Sequence, residues 1–473
     1  MRDLLRRQWG ELRRNLRPRE AAYWLIQNLL LLVVKFRMGV QMYGSHNYAP
    51  PAPATLLLNG HKRDWDIPVL TPRLYYHRGW WRPDERRMAF AGREDIFIPG
   101  FVVELVGGWK WPRWMQHWLE YLSFESFLLW MRAYPILRVP EFSLHQYLVE
   151  LQGEQGDLLL GEVFSDEMLE QLDRWGEAQT PRKRRVQARP SRELHISDVR
   201  DWRYRKVLVP YLRKRFLLPQ RYTEHKERQR KKIAQQLQGL ADALKRGDTL
   251  WLAPEGTLTP NGSVGRSRNG LALLLDLMPP DTRTLPTNIC YDFMTAGRMR
   301  ACVAIGPALP IGKGLPHSEL LEQVRVAIAL QTVVTMSMLG STFLWERLQQ
   351  EQPTFDFETA LAAVSRRVEA LLRQSALLER GLMRPASIRK RLRSFLRYCC
   401  NKGLLIRQPD HTYRVQAAPF RQEYDHFFWR NPRYCVNELA ALEAALIERT
   451  PDTLQKSLSV HADTSAEVKS SRK

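Results

Sequence analysis

The stretch NGHKRDWD, which begins at Asn59, places a histidine and two aspartates directly after the apolar run TLLL. On a continuous helix, His61 and Asp66 would lie roughly 140° apart around the axis, too far to meet. They can meet if His61 lies in a turn and Asp66 in the first turn of the following helix. Asn59-Gly60 favours such a turn, and Pro68 favours the beginning of a helix. Asp66 would then orient the imidazole, and His61 could take a proton from an alcohol that attacks an acyl carbonyl.

A second polar turn, APEGTLTPNG, begins at Ala253 after the strand-like run TLWL. Pro254 and Gly256 predict a tight turn, which would present Glu255 and the Thr257 hydroxyl at the edge of a sheet. Backbone N–H groups exposed in such a turn can hold a phosphate or an oxyanion. A purely structural tight turn is the alternative interpretation.

Two arginines are candidates for binding a phosphate group. Arg93 lies in GREDIFIPG and Arg138 in YPILR. A guanidinium binds phosphate through two parallel hydrogen bonds, although either residue taken alone could be an ordinary surface base.

Taken together, these segments resemble the phospholipid/glycerol acyltransferases. NGHKRDWD, GREDIFIPGFVVELVG, PILR, LWLAPEGT and LPTNICYD occur in the order of the sequence blocks of that family, over about residues 45–310. The resemblance implies that His61 is the general base and Asp66 its orienting partner. It also implies that three residues help to hold a glycerol-phosphate acceptor: Glu255, Gly256 and Thr257.

The resemblance assigns three further residues and a co-substrate. Arg138 would bind the phosphate of the acceptor, with Arg93 as the competitor for this role, and Pro286 would shape the acyl pocket. The acyl donor would be a thioester of coenzyme A or of acyl carrier protein, and neither a metal nor a redox cofactor is implied.

The sequence departs from the family pattern at three positions. Gly60 precedes the histidine where Asn is common, and Leu258 follows PEGT where a basic residue is common. Arg63 stands where a hydroxyl residue is usual, so we expect it either to add positive charge near the phosphate or to face solvent. The matched pattern selects Asp66 rather than Asp64 as the partner of the histidine.

The chain of 473 residues is strongly basic. Its 72 Lys+Arg against 50 Asp+Glu give a formal net charge of +22, which predicts an anionic partner. The 15 Trp residues favour a membrane surface over nucleic acid, because Trp is enriched at the headgroup level. The Trp-rich stretch from Trp109 to Trp130 fits either a core helix pair or an interfacial patch.

Strand-like and helical segments alternate in the first part of the chain, which predicts an α/β fold. We expect an acyltransferase-like core with a mixed sheet flanked by helices, followed by a mostly helical C-terminal region. The boundaries we predict are basic and apolar interfacial helices at 1–45, a core at 46–315 with a basic insert at about 150–225, a helical domain at 316–450 and a disordered tail at 451–473.

Two segments are candidates for contact with lipid. The apolar run from Ala21 to Val34 spans 14 residues, fewer than the roughly 20 of a spanning helix, and predicts a buried or interfacial helix. Within the insert, a basic loop at Thr180–Glu193 precedes DVRDWRYRKVLVPYLRKRFLLPQRY, which mixes bases with apolar residues. That second piece predicts an amphipathic segment on anionic lipid, with a solvated basic face as the alternative.

These patterns predict an O-acyltransferase on the cytosolic side of a membrane, bound peripherally or monotopically. We expect it to convert 1-acyl-sn-glycerol 3-phosphate to phosphatidate, with the first acylation of glycerol 3-phosphate as the alternative. The five cysteines have no metal-site spacing and predict reduced thiols of a cytosolic protein.

An alternative from another class is a basic membrane- or nucleic-acid-binding protein without catalysis. SIRKRLRSFLRYCCNKGLLIRQPDHTYRV could form a winged helix, and the net charge would suit DNA or RNA. Because this alternative leaves His61, Asp66 and the PEGT turn unexplained, we do not expect nucleic acid to be the main partner.

Overall fold

The structure of the chain is a computed structural model. It describes residues 18–48, 54–77, 88–97, 125–137, 142–179, 189–199, 205–208, 212–259, 261–311, 316–421 and 431–448. The chain divides into two compact units, one of Met1–Ala91 with Leu240–Lys473 and the other of Gly92–Gly239.

A seven-stranded mixed sheet confirms the predicted α/β class. Its strands are β1 (Met38–Tyr43), β2 (Thr55–Asn59), β3 (Met88–Arg93), β4 (Ala133–Ile136), β5 (Thr249–Leu252), β6 (Arg283–Asp292) and β7 (Met299–Ile305). The order across the sheet is β1-β7-β6-β2-β5-β3-β4. The central strand β2 is buried along its whole length, as expected for a parallel strand covered on both faces.

The strand directions bring two loops to one edge of the sheet. β2 pairs in parallel with both β5 and β6, so the carboxyl ends of β2 and β5 lie at the same edge. β6 pairs with β2 only as far as Thr287 and then continues to Asp292, from which an antiparallel hairpin leads into β7. The β6–β7 hairpin therefore extends beyond the edge at which β2 ends. In α/β sheets this edge is the usual place for a site.

The first described helix, α1 (Pro18–Arg37), has one packed face and one exposed face. The ring of Tyr23 packs edge-on against Tyr75, and the Asn28 amide donates to the Tyr76 hydroxyl at 2.6 Å. The exposed face carries large apolar side chains: Leu25, Leu29, Leu32, Val33 and Phe36.

One face of the helix over Ala21–Val34 is therefore buried and the other is exposed, and its predicted place at an interface stays a prediction. Within the described ranges, no helix combines the length and the apolar character needed to cross a membrane. Residues 1–17 of the predicted interfacial segment lie outside these ranges.

Helices are numbered in chain order, so α3–α8 belong to the second unit described below. The remaining helices of the first unit include α2 (Asp66–Tyr75), α9 (Asn269–Leu277), α10 (His317–Leu330), α11 (Met336–Gln349), α12 (Phe357–Arg373), α13 (Pro385–Asn401), α14 (Ala418–Arg421) and α15 (Pro432–Ile447). A small antiparallel sheet has the order β8-β10-β9, with strands β8 (Thr354–Phe355), β9 (Leu405–Arg407) and β10 (Tyr413–Val415). The succession α11, β8, α12, α13 and the β9–β10 hairpin has the element order of a winged helix, as the sequence suggested.

The core of the helical C-terminal region is continuous with one face of the sheet. Cys290 and Cys302 of the sheet belong to the same buried apolar cluster as Phe395 of α13 and Leu439 of α15. The helices after residue 316 therefore fold onto the sheet and stabilise it from one side.

The second unit contains α3 (Glu125–Trp130), α4 (Leu144–Gln155), α5 (Asp166–Gln179), α6 (Ile196–Val199), α7 (Arg205–Leu208) and most of α8 (Pro219–Lys245). Its core includes Tyr147 and Phe164 together with Leu208, Phe216 and Leu217. The last three come from the segment that we expected to lie on lipid.

The lipid-binding interpretation of that segment is therefore wrong for these apolar residues, which are buried inside the unit. The compact unit is also larger than the predicted insert at about 150–225. Residues 180–188 of the predicted basic loop and the Trp-rich stretch from Trp109 to Trp118 lie outside the described ranges, as does the tail at 451–473.

The packing of α11 against α13 gives a first prediction. We expect Gly340→Ala in α11 to lower the free energy of unfolding by about 1–3 kcal/mol, because a methyl group at this position would clash with the buried ring of Phe395. Unfolding in urea measures the change.

Gly239→Ala in α8 is the matched control, because a methyl group there would meet nothing within 4 Å. Its gain in helix propensity should raise the free energy of unfolding by up to about 1 kcal/mol. Similar stabilisation by both substitutions would contradict the predicted clash.

Candidate active site

His61 and Asp66 lie together directly after β2. The strand ends at Asn59, residues 60–65 form a turn, and Asp66 begins α2. The Nδ1 atom of His61 lies 2.9 Å from Oδ2 of Asp66. Because an ionised carboxylate only accepts hydrogen bonds, Nδ1 carries the proton and Nε2, on the opposite edge of the ring, is left as the basic nitrogen.

The Asp66 carboxylate is completely buried and accepts four hydrogen bonds. Its Oδ2 accepts from His61 and from the backbone N–H groups of Lys62 at 2.8 Å and Arg63 at 3.1 Å. Its Oδ1 accepts from the Tyr291 hydroxyl at 2.7 Å. The turn therefore wraps around the carboxylate that orients its own histidine. A buried carboxylate is tolerated only when its acceptor sites are used in this way.

Tyr291 is a site residue that the sequence reasoning missed. It lies in β6, 225 positions from Asp66 along the chain. Burial, and then the charge of Asp66, raise the pKa of the Tyr291 hydroxyl, so this group stays protonated and donates. The only signal in the sequence was its place in LPTNICYD. An aromatic residue in a buried strand is equally typical of an ordinary core position, so this signal did not distinguish the two.

The imidazole is held on a second side by an aromatic ring. Trp251 of β5 is buried, and its ring packs edge-on against His61 with 5.4 Å between centroids. The His61 side chain keeps 17% of its surface exposed, whereas Asp66 keeps none. Within the described part of the chain, no side chain hydrogen-bonds to Nε2, so this nitrogen is available to a ligand.

The PEGT turn after β5 lies against the His61 turn. The backbone N–H of Thr259 donates to the carbonyl of His61 at 2.6 Å, and the Thr259 hydroxyl donates to the Glu255 carboxylate at 3.1 Å. Thr259 was not among the predicted site residues, yet it joins the two loops. The predicted turn is present, with Gly256 at φ 69°, and the Arg268 side chain donates to the Glu255 carbonyl at 2.9 Å.

Glu255 points inward rather than into solvent. It is 5% exposed, and a side chain added at Gly60 would come within 3.8 Å of its Oε1 atom. Burial raises the pKa of Glu255 to about 7, against the lowering influence of Thr259 and the nearby positive groups. Thr257 and Gly256 are partly exposed on the same turn, so they are better placed than Glu255 to meet a ligand.

The position of Arg63 contradicts the sequence-based expectation. We expected Arg63 to lie near a phosphate or to face solvent, but it is 6% exposed and its guanidinium stacks on Tyr291 at 4.4 Å and on Phe293 at 4.8 Å. Lys62 is also buried and forms an ion pair with Glu438 of α15. Both bases therefore anchor the turn.

The helix α15 contacts both site loops. Besides Glu438, the Asn437 side chain donates to the carbonyl of Asn261 at 3.0 Å. Gly262, with φ 91°, lies so close to the Tyr434 carbonyl that no side chain would fit there. The C-terminal region thus supports the His61 turn and the loop that follows PEGT.

The remaining predicted site residues are not brought to His61 by the described contacts. Arg138 lies outside the described residues, and Arg93 ends β3 with its side chain outside them. Pro286 is buried in β6 opposite Leu58 of β2, and its carbonyl accepts from Gly306 at 2.8 Å. Its predicted contribution to an acyl pocket stays a prediction.

No protein-family model matches the chain, and a search of curated proteins found no match.

The buried Glu255 predicts a pH effect on stability. Its folded pKa of about 7 lies above the ordinary value of 4.5, so between these values the folded protein keeps a proton that the unfolded chain releases. This contribution to stability is therefore lost as pH rises through that window. We expect Glu255→Gln, which has no charge to bury, to gain about 2–3 kcal/mol relative to the wild type between pH 5 and pH 8. Urea unfolding of both proteins at each pH measures the difference, and a difference that does not change with pH would contradict the burial of the charge.

The buried Lys62–Glu438 ion pair predicts that substitutions of its two residues have strongly non-additive effects on the free energy of unfolding. We expect Glu438→Leu to lower the free energy of unfolding by about 3–5 kcal/mol, because the Lys62 ammonium is then buried without a carboxylate. Lys62→Met should cost a similar amount, whereas the double variant should recover most of the loss.

A double-mutant cycle from urea unfolding measures this coupling. The exposed pair Glu170 and Arg174 is the control, whose coupling should stay below about 1 kcal/mol. Additive losses at Lys62 and Glu438 would show that the two side chains act independently.

Proposed function

We propose that this protein is an O-acyltransferase that moves a fatty acyl group from a CoA or acyl carrier protein thioester to a glycerol-phosphate hydroxyl. The acceptor we favour is 1-acyl-sn-glycerol 3-phosphate, which gives phosphatidate. The observation that carries the proposal is the oriented His61–Asp66 pair, which stands at the carboxyl end of β2 beside the PEGT turn. The sequence blocks that resemble the phospholipid/glycerol acyltransferases supply the substrate class.

In the proposed reaction, Nε2 of His61 takes the proton of the acceptor hydroxyl as its oxygen attacks the thioester carbonyl. The tetrahedral intermediate then collapses and expels the thiolate, which receives the proton from the imidazolium and leaves as the thiol. Asp66 stabilises the imidazolium through Nδ1, as the carboxylate of a catalytic triad does.

The burial of Asp66 supports this division of roles. With four donors on its two oxygens and no exposed surface, the carboxylate cannot reach a substrate and acts only through His61. Because no described side chain hydrogen-bonds to Nε2, the geometry favours a base that acts directly on the acceptor over one that activates a protein nucleophile.

The acceptor phosphate needs cationic groups, and we propose Arg138 for this role with Arg93 as the competitor. The buried positions of Lys62 and Arg63 remove them from consideration. Glycerol 3-phosphate as the acceptor is the second candidate within the same class, because the family resemblance does not separate the two.

Two features support a lipid substrate. The exposed apolar face of α1 carries Leu25, Leu29 and Phe36, and the basic residues Lys35 and Arg37 lie in its last turn. An apolar face with flanking bases is typical of helices that lie in the interface of an anionic membrane. We therefore propose peripheral or monotopic binding to the cytosolic face of a membrane.

The winged-helix element order favours nucleic acid as a second candidate partner. Against it, the inner side of α13 is already held by the β6–β7 hairpin, where the Ala296 N–H donates to the Ser394 carbonyl and Arg391 pairs with Asp292. A recognition helix must enter a groove of the duplex, and the side of α13 held by the hairpin is excluded from such a contact.

Acyl transfer by the purified protein tests the proposal. Offered lysophosphatidate or glycerol 3-phosphate with each thioester donor, the wild type should release free thiol and form ester. We predict that His61→Ala lowers kcat by about 10²–10⁴-fold, because the general base is lost. Asp66→Asn should also lower kcat, since the amide no longer favours the required tautomer.

His411→Ala, in the exposed turn between β9 and β10, is the control for a histidine substitution and should retain full activity. Near-normal turnover by His61→Ala in a folded protein would contradict the assignment of the base. Absence of transfer by the wild type with every combination of donor and acceptor would contradict the proposed reaction.

A further inference from the structure

A basic cavity lies between the β6–β7 hairpin and the beginning of α13. It has a volume of about 510 Å³, and neither His61 nor Glu255 lines it. Four cationic side chains border it: Arg298, Arg300, Lys390 and Arg391. We propose that this cavity binds the phosphate group of a phosphate ester, at a site separate from the candidate active site.

The charges around the cavity do not balance. Arg391 is paired with two buried carboxylates, Asp292 and Glu379, and Arg300 lies 3.6 Å from Glu379. These four groups neutralise one another. Arg298 donates to the carbonyl of Met38, and within the described residues neither it nor Lys390 forms an ion pair.

Two positive charges are therefore left over at a concave surface. An excess of like charge is unfavourable in a concave site, where solvent screens it less than on a convex surface, and an anion relieves it. A dianionic phosphate monoester matches the excess in sign and in number, and arginine offers it a planar pair of donors.

The Ser387 hydroxyl adds a neutral donor to the site. The helix α13 begins at Pro385, and its N-cap Arg384 provides no side-chain hydrogen bond to the first turn. Ser387, in that first turn, lines the cavity together with Thr295 and Ser394, whose hydroxyls hydrogen-bond to each other at 2.8 Å while Ser394 donates to the Ala296 carbonyl. The positive end of a 17-residue helix thus adds to the field of the two unbalanced bases, Arg298 and Lys390, a combination that favours phosphate.

The size of the cavity indicates more than an inorganic ion. A volume of about 510 Å³ lies in the range of small-molecule sites, and one phosphate group fills only a small part of it. The same chemistry is offered by a soluble phosphate ester and by the headgroup of a phospholipid. The experiment below separates these two sources.

Isothermal titration calorimetry with inorganic phosphate and with glycerol 3-phosphate tests the soluble source. We expect saturable binding by the full-length protein. The double variant Arg298→Gln/Lys390→Gln should bind about tenfold more weakly, because it removes both unbalanced charges. The control Arg397→Gln/Lys402→Gln changes the net charge equally at exposed positions outside the cavity and should stay within about twofold of the wild type.

Flotation with phosphatidylcholine vesicles, with and without phosphatidate, tests the headgroup source with the same variants at one stated salt concentration. If only the cavity variant loses affinity in the calorimetry, the ligand is a soluble phosphate ester. If it loses vesicle binding in flotation but no affinity in the calorimetry, the ligand is a lipid headgroup. Either result supports the site. Absence of saturable binding in both experiments, or equal losses in the cavity and control variants, would overturn it.

Thermal unfolding checks that the cavity variant is folded, and Lys390→Gln alone replaces the double variant if it is not. Both experiments measure binding only. Their outcome therefore does not depend on whether the protein transfers acyl groups, and glycerol 3-phosphate bound at His61 would be unaffected by the cavity substitutions.

Discussion

The buried carboxylate of Asp66 is the point on which the candidate site depends. It collects donors from the turn after β2, from the first strand of the β6–β7 hairpin through Tyr291, and from His61 itself. Leaving any of these donors or acceptors unpaired in the interior would cost on the order of 1–3 kcal/mol. The direction of the imidazole is therefore fixed by the same hydrogen bonds that close the turn onto the sheet, and the geometry of the site is part of the fold.

The sequence predicted the local parts of this arrangement. Strand runs, turn residues and the beginning of α2 depend on neighbours within a few positions, so the positions of His61 and Asp66 and the turn at Gly256 could be read from the chain. The roles of Tyr291 and Thr259 could not be predicted in this way, because they depend on contacts with other loops. A tyrosine is an ordinary residue in a buried strand and a threonine in a turn, so neither residue type indicated a site.

Charged and apolar residues were the other source of error, for one physical reason. We expected Arg63 near a phosphate or in solvent, because bases rarely lie in a core, yet it is buried. The adjacent Lys62 is buried as well and pairs with a carboxylate 376 residues away. Likewise, apolar residues mixed with bases around Phe216 could cover lipid or fill a core, and only the fold of residues 92–239 shows that they do the latter. In both cases the deciding partner is distant in sequence.

The contacts of α15 with the His61 turn and with the loop after PEGT restrict how such a chain can evolve. Glu438 neutralises Lys62 within the histidine turn, and the Tyr434 carbonyl occupies the space that a side chain at position 262 would need. The last described helix is thus a structural component of a site built some 170 to 380 residues earlier in the chain. The N-terminal half that carries the candidate site could not be inherited or recombined without its C-terminal half unless the buried lysine, which would lose its carboxylate, changed at the same time.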